Sequence, residues 1–156
     1  MRVGIIGGGF GLTIQAPIIK THPNLNLTTV CTMKRHHLPE ELLNGEDSPV
    51  HYKDWSYMLE NEEIDLLFVS SIPTYHFEMV KYALNKGINV VCEKPFTMNS
   101  KESKELDLRK YNTEIIIAGS GFNGNNRDNK VEENNKRFII QIIPKIMRPE
   151  IKDSIK

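Results

Sequence analysis

A β-branched run near the start of the chain, Arg2-Val3-Gly4-Ile5-Ile6, leads directly into Gly7-Gly8-Gly9-Phe10-Gly11. The run reads as a buried strand over residues 2–7, because apolar and β-branched residues follow one another without polar alternation. Residues 11–20 read as a helix. It is stopped at His22-Pro23, since a residue preceding proline is pushed out of the α region. A strand that passes through a glycine turn into a helix is a βα opening, the place where a dinucleotide fingerprint should sit. Gly7 permits the tight turn and Gly9 lets backbone N–H groups approach a pyrophosphate. The helix N-terminus adds partial positive charge. A glycine-rich loop without a ligand is the alternative. The third position of a G-x-G-x-x-G pattern is Leu12 here, so close packing of helix on strand is not expected there, with Gly11 adjusting the turn.

The same alternation continues. Residues 25–32 read as a second strand, and 40–43 as a short helix closed by Asn44-Gly45. Asp54 is placed to cap a helix over 55–60, and residues 66–70 form the next strand. After Pro73, Thr74 is expected to cap a helix running to Lys86 and ending at Gly87. Phe77, Val80, Tyr82, Ala83 and Leu84 are expected on its core side. Residues 89–92 read as a strand. Asn99 with Glu102 resembles a capping box for a helix ending near Lys110, and 114–118 reads as a last strand. Strands alternating with helices imply parallel βαβ units in a doubly wound α/β sheet.

Residues 1–120 therefore form one expected domain. Residues 121–137 differ: 123–137 holds six asparagines and one apolar residue, Val131, and is expected to be a disordered polar linker. Residues 138–156 form a short apolar and basic tail. The 156 residues carry 20 Lys+Arg against 20 Asp+Glu, so no global field draws the chain to nucleic acid or an anionic membrane. No stretch approaches the roughly 20 apolar residues of a membrane span, and the N-terminus does not read as a signal peptide. Cys31 and Cys92 make no disulfide framework. Reduced thiols in a cytoplasmic protein are expected.

A carboxylate closing the second strand would ordinarily accept from the ribose 2′-hydroxyl of NAD. Here the strand ends Cys31-Thr32-Met33-Lys34-Arg35. A hydroxyl and two cations suit a 2′-phosphate, so NADP is favoured over NAD, against the plainer reading of a solvated basic turn. Ser70-Ser71-Ile72-Pro73-Thr74-Tyr75-His76 follows another strand at the edge where α/β sheets bind ligands. A lone histidine there is more often a packing or hydrogen-bonding residue than a catalyst. Read alone, Glu93-Lys94-Pro95 is a charged turn. No metal cluster is expected.

Together these segments resemble the N-terminal domain of the glucose–fructose oxidoreductase/inositol dehydrogenase (Gfo/Idh/MocA) family over residues 1–112. The glycine turn with Pro17 matches first, then Pro73-Thr74-Tyr75-His76 with Glu78, and then Lys86-Gly87 through Glu93-Lys94-Pro95. The resemblance implies a Rossmann-type domain binding NAD or NADP and hydride transfer to or from a sugar, polyol or related ketone. It implies that Gly7, Gly9, Phe10 and Gly11 meet the pyrophosphate, and that Ser71, Pro73 and His76 line the cofactor's path. Glu93 would lie near the nicotinamide ribose, and Lys94 would touch the cofactor and hydrogen-bond the reacting hydroxyl. The family's second α/β substrate domain is not recognisable in the 44 residues after Asn112, nor is its acid–base histidine, so this chain is expected to be catalytically incomplete. A non-catalytic nucleotide-binding module or a decayed fragment is the alternative. An oligomer or a partner chain has no specific signal.

Overall fold

In the computed structural model, residues 1–44, 47–106, 110, 111, 113 and 115–118 are described. The expectations for residues 121–137 and 138–156 lie outside them. β1 (Arg2–Ile6) is followed by a π-helical turn (Gly11–Gln15) and α1 (Ala16–Thr21). Next come β2 (Asn26–Cys31), α2 (Glu40–Leu43), β3 (Val50–Tyr52), α3 (Trp55–Asn61) and β4 (Leu66–Val69). A 3-10 turn (Pro73–Tyr75) precedes α4 (His76–Asn85), and β5 (Asn89–Glu93), α5 (Ser100–Glu105) and β6 (Ile115–Ala118) complete the series.

The six strands form one sheet in the order β3-β2-β1-β4-β5-β6, with every pair parallel. The chain winds outward from β1 in one direction, then returns to its other side at β4. Loops on either side of this reversal diverge and leave a crevice at the carboxyl ends of the strands. Register keeps those ends level. Ile6 lies opposite Cys31 and Val69, and Val69 opposite Cys92. Gly7, Thr32, Ser70 and Glu93 therefore arrive at the same edge.

Side chains alternate between two buried faces. Val3, Ile5, Val30 and Leu66 pack on one face with Leu12, Ala16 and Ile19. Ile6, Cys31, Leu67, Val69, Val90 and Cys92 pack on the other with Met58, Leu59, Met79, Val80, Ala83 and Leu84. Each fully buried Ile or Leu contributes about 1.5–3 kcal/mol relative to exposure. α1, α3 and α5 have six or seven residues, too short to hold alone in water. The sheet therefore supports the helices.

Local signals act where expected at two helix starts. The Asp54 carboxylate accepts from the backbone N–H of Ser56 at 2.8 Å and of Tyr57 at 3.0 Å. The Asn99 side chain accepts from Lys101 and Glu102, while the Glu102 carboxylate accepts from the Met98 N–H. Thr74 is not a cap. It lies inside the 3-10 turn, and α4 starts two residues later with no side-chain cap. On α4 the wholly buried positions are His76, Met79, Val80, Ala83 and Leu84, whereas Phe77 and Tyr82 pack only at the border of the core. α5 closes at Leu106, short of the expected Lys110. β3 has no counterpart in the sequence reading. Its three residues lean on β2 alone, so its apolar content is too small to announce a strand.

Cys31 and Cys92 are free and buried. Burial pushes the Cys31 thiol up to about 11 and the Cys92 thiol up to about 12. Because the thiolate is the reactive form, neither is expected to react with a thiol reagent at pH 8 while the protein is folded. Both should react in denaturant, and one fast-reacting equivalent in the native protein would contradict this packing. Among the described residues no helix is long and apolar enough to cross a membrane.

Candidate functional site

The crevice at the carboxyl edge is a cleft of about 700 Å³. Gly8 and Gly9 line it from the turn after β1, Thr32, Met33, Lys34 and Arg35 from the end of β2, and Ser70, Ser71, Ile72, Pro73 and Tyr75 from the loop after β4. Among the described residues none that lines it is acidic.

The glycines divide their work. A Cβ on Gly7 would lie 2.3 Å from the Ser70 carbonyl oxygen, and its φ is +155°, so no other residue fits beside β4. Its N–H donates to the Cys31 carbonyl at 2.9 Å, which ties the turn to β2. A Cβ on Gly9 would meet nothing within 4 Å, so the backbone there stands open. Gly11 differs from expectation. It is buried, and a Cβ would come 2.8 Å from Ile5 Cγ2. Its role is close packing of helix on strand, which was expected to be missing because the pattern places Leu12 at the packing position. The glycine stands one residue earlier, and Leu12 is a buried core residue instead. Phe10 is half-exposed and does not line the cleft.

Thr32, Lys34 and Arg35 gather at one end of the cleft. The Thr32 hydroxyl donates to the Arg35 carbonyl at 3.1 Å and lies 2.8 Å from His51 Nε2. With that hydrogen committed, Nε2 carries the N–H and donates to Thr32. Burial, then the charges of Lys53 and His37, hold the His51 ring below its usual titration range. Thr32 is thus left able to accept but not to donate, and the expected hydroxyl contact to a 2′-phosphate is not available in this arrangement. Lys34 and Arg35 are exposed. Among the described residues neither pairs with a carboxylate. They remain the donors at this end.

Ser71 and Pro73 face the cleft, but His76 does not. The His76 side chain is wholly buried, with Nδ1 2.9 Å from the Pro95 carbonyl oxygen and Nε2 3.1 Å from that of Ser71. The ring sits between the loop after β4 and the loop after β5, and the nitrogen that carries the proton donates to one of these two carbonyls. Burial against two carbonyls, rather than contact with a ligand, accounts for a histidine there. Glu93 ends β5, and its carboxylate accepts from Gln15 Nε2 at 3.2 Å. Lys94 follows, exposed.

Gly8, Met33, Ser70, Ile72 and Tyr75 line the cleft without having been singled out from sequence. Gly8, Ser70, Ile72 and Tyr75 lie inside the segments quoted above, which assign them no role of their own. Met33 adopts φ 56° in the turn after β2, which nothing in its residue type announces. No group of three His, Cys, Asp or Glu side chains that could hold a metal occurs among the described residues.

An open glycine backbone at a helix start, a cleft at the reversal of the strand order and a cationic end beyond β2 define a dinucleotide-binding Rossmann domain. Residues 1–111 match the family model of the Gfo/Idh/MocA proteins, described as an oxidoreductase family with an NAD-binding Rossmann fold. The chain belongs to this family. An uncharacterized oxidoreductase of Schizosaccharomyces pombe is 45% identical over 113 residues, which cover 70% of this chain and 31% of that protein. Myo-inositol 2-dehydrogenase of Thermotoga maritima is 29% identical over 125 residues, 79% of this chain and 36% of the relative. The crystal structure of myo-inositol 2-dehydrogenase from Lactobacillus plantarum superposes with a TM-score of 0.67 at 27% identity, covering 76% of this chain and 36% of that one. The chain spans about a third of the length of these relatives.

Proposed function

We propose that this chain is the cofactor domain of an oxidoreductase that prefers NADP(H) and acts on a sugar, polyol or related ketone. The observation that carries the reading is the cleft itself. Gly9 is open at one wall, and the β2 end holds Lys34 and Arg35 with no carboxylate among the described residues. The bound nicotinamide would supply the hydride chemistry. The chain's own residues bind and orient. Gly8 and Gly9 offer backbone to a pyrophosphate at the start of the helix, and the two cations suit a 2′-phosphate. Ser71 and Pro73 form the wall opposite.

The substrate class rests on the myo-inositol dehydrogenases among the relatives. Glu93 ends β5, the strand beside β4 at the same carboxyl edge, and Lys94 follows it. Lys94, exposed and able to donate three hydrogen bonds, suits a reacting hydroxyl and the charge that develops on its oxygen. The role proposed for residues 1–111, the part that matches the family model, is cofactor binding.

The test is titration with NADPH and NADH, read by calorimetry or by cofactor fluorescence. Trp55, the single tryptophan, packs edge-on against Tyr82 and does not line the cleft, so its quenching is a poor reporter. Saturable micromolar binding, tighter for NADPH, is expected. Absence of binding by the folded chain would reduce the reading to fold alone. Hydride transfer from an added polyol to the oxidised cofactor, or from the reduced cofactor to an added ketone, would instead show turnover.

Lys94→Ala is expected to change NADPH affinity by less than about twofold, because the role proposed for Lys94 is toward the substrate rather than the cofactor contact that the resemblance also implies. A loss of tenfold or more would assign Lys94 to the cofactor.

A further inference from the structure

Gln15 was not singled out by any motif, yet it joins the ends of three elements. It closes the π-helical turn Gly11–Gln15, a departure from α geometry that is rare and often found at functional sites. The Ser70 hydroxyl at the end of β4 donates to Gln15 Oε1 at 2.5 Å. Gln15 Nε2 donates to Glu93 Oε1 at the end of β5, at 3.2 Å. The two bonds set the direction of the amide. A hydroxyl that donates must face the amide oxygen, which turns the NH₂ group toward the carboxylate. Glu93 Oε2 has no partner among the described residues.

The position of this relay follows from the strand order. The cationic end of the cleft lies over β2, the glycine turn over β1 and Ser70 over β4, with β5 next in line. A dinucleotide with its adenosine end at Lys34 and Arg35 reaches β5 with its other half. We infer that Gln15 is a positioning residue: through the Ser70–Gln15–Glu93 relay it fixes the Glu93 carboxylate so that Oε2 accepts a hydroxyl from the nicotinamide half of the dinucleotide. This inference rests on the proposed cofactor role of the cleft.

The test uses the full chain and the variants Gln15→Leu, Glu93→Gln and both together, with thermal unfolding to verify folding. The first measurement needs no ligand. Scalar couplings of Glu93 should report one side-chain rotamer in the parent and averaged rotamers in Gln15→Leu. One fixed rotamer in both would overturn the inference. The second measures binding of NADPH and of 2′,5′-ADP, which lacks the nicotinamide half. Gln15→Leu is expected to weaken NADPH about tenfold, the scale of one charge-assisted hydrogen bond, while 2′,5′-ADP is unchanged. The double variant should lose no more than Glu93→Gln alone, because Gln15 acts through Glu93. Equal losses for both ligands, or additive losses in the double variant, would overturn the positioning role. If the parent binds neither ligand, the cofactor reading fails and the inference falls with it. The rotamer result would then describe a structural contact only.

Discussion

Replacing Lys34 and Arg35 together by alanine is expected to weaken NADPH binding by about a hundredfold while NADH binding changes by less than about twofold. A charge-assisted contact to phosphate is worth about 1.5 kcal/mol or more, or roughly tenfold for each cation. Both side chains are exposed, so each contact lies at the low end of that range. Thr32 adds nothing to a phosphate, since its hydrogen is held by the Arg35 carbonyl. The same exposure makes the preference salt-sensitive. Raising ionic strength from 0.05 to about 0.5 M should erode the NADPH advantage with little effect on NADH. Equal losses for the two cofactors in the double variant would place the cations on the pyrophosphate instead and remove the basis for NADP preference.

Gly7→Ala and Gly9→Ala, two substitutions in one turn, are expected to fail in different ways. At Gly7 the added methyl would stand 2.3 Å from the Ser70 carbonyl oxygen and 2.7 Å from its carbon. These are backbone atoms of the neighbouring strand end and cannot turn aside as a side chain could. The expected cost is about 3 kcal/mol or more of folding stability, from overpacking combined with backbone strain at φ +155°. A melting temperature within a degree or two of the parent would show that β1 and β4 are less closely apposed than described. At Gly9 no atom lies within 4 Å of the added methyl, so stability should be nearly unchanged. Cofactor affinity should fall at least tenfold, because the methyl occupies the approach of the pyrophosphate. Retained affinity in Gly9→Ala would move the phosphate away from this turn.

The contrast between these glycines was only partly legible beforehand. Their order along the chain, after a β-branched run and before a helix, pointed to a dinucleotide turn. Which glycine packs and which stands open depends on distances to Ser70 and Ile5, residues of β4's end and of β1 that sequence spacing does not place. Gly11 shows the difficulty. Judged by the pattern, the packing position falls on Leu12, but it is Gly11, the first residue of the π-helical turn, that lies against Ile5. His76 is a similar case. It occupies the expected segment, yet the neighbouring Ser71 and Pro95 carbonyls claim its ring.

Elements with strong local causes were readable from the residues alone. Consecutive apolar and β-branched residues define β1, β4 and β5, because strands covered on both faces need no polar alternation. Asp54 and Asn99 mark helix starts because their caps are local hydrogen bonds. By itself, then, the sequence determined the alternating α/β order, the parallel sheet and the glycine turn at its edge. Tertiary structure alone decided three further features. It added β3, turned His76 inward, and brought Gln15 from the first helix to Ser70 and Glu93, residues 55 and 78 positions away. The reason is physical. Periodicity and capping act within a few residues, whereas hydrogen bonds across the carboxyl edge exist only after the strands have paired in register.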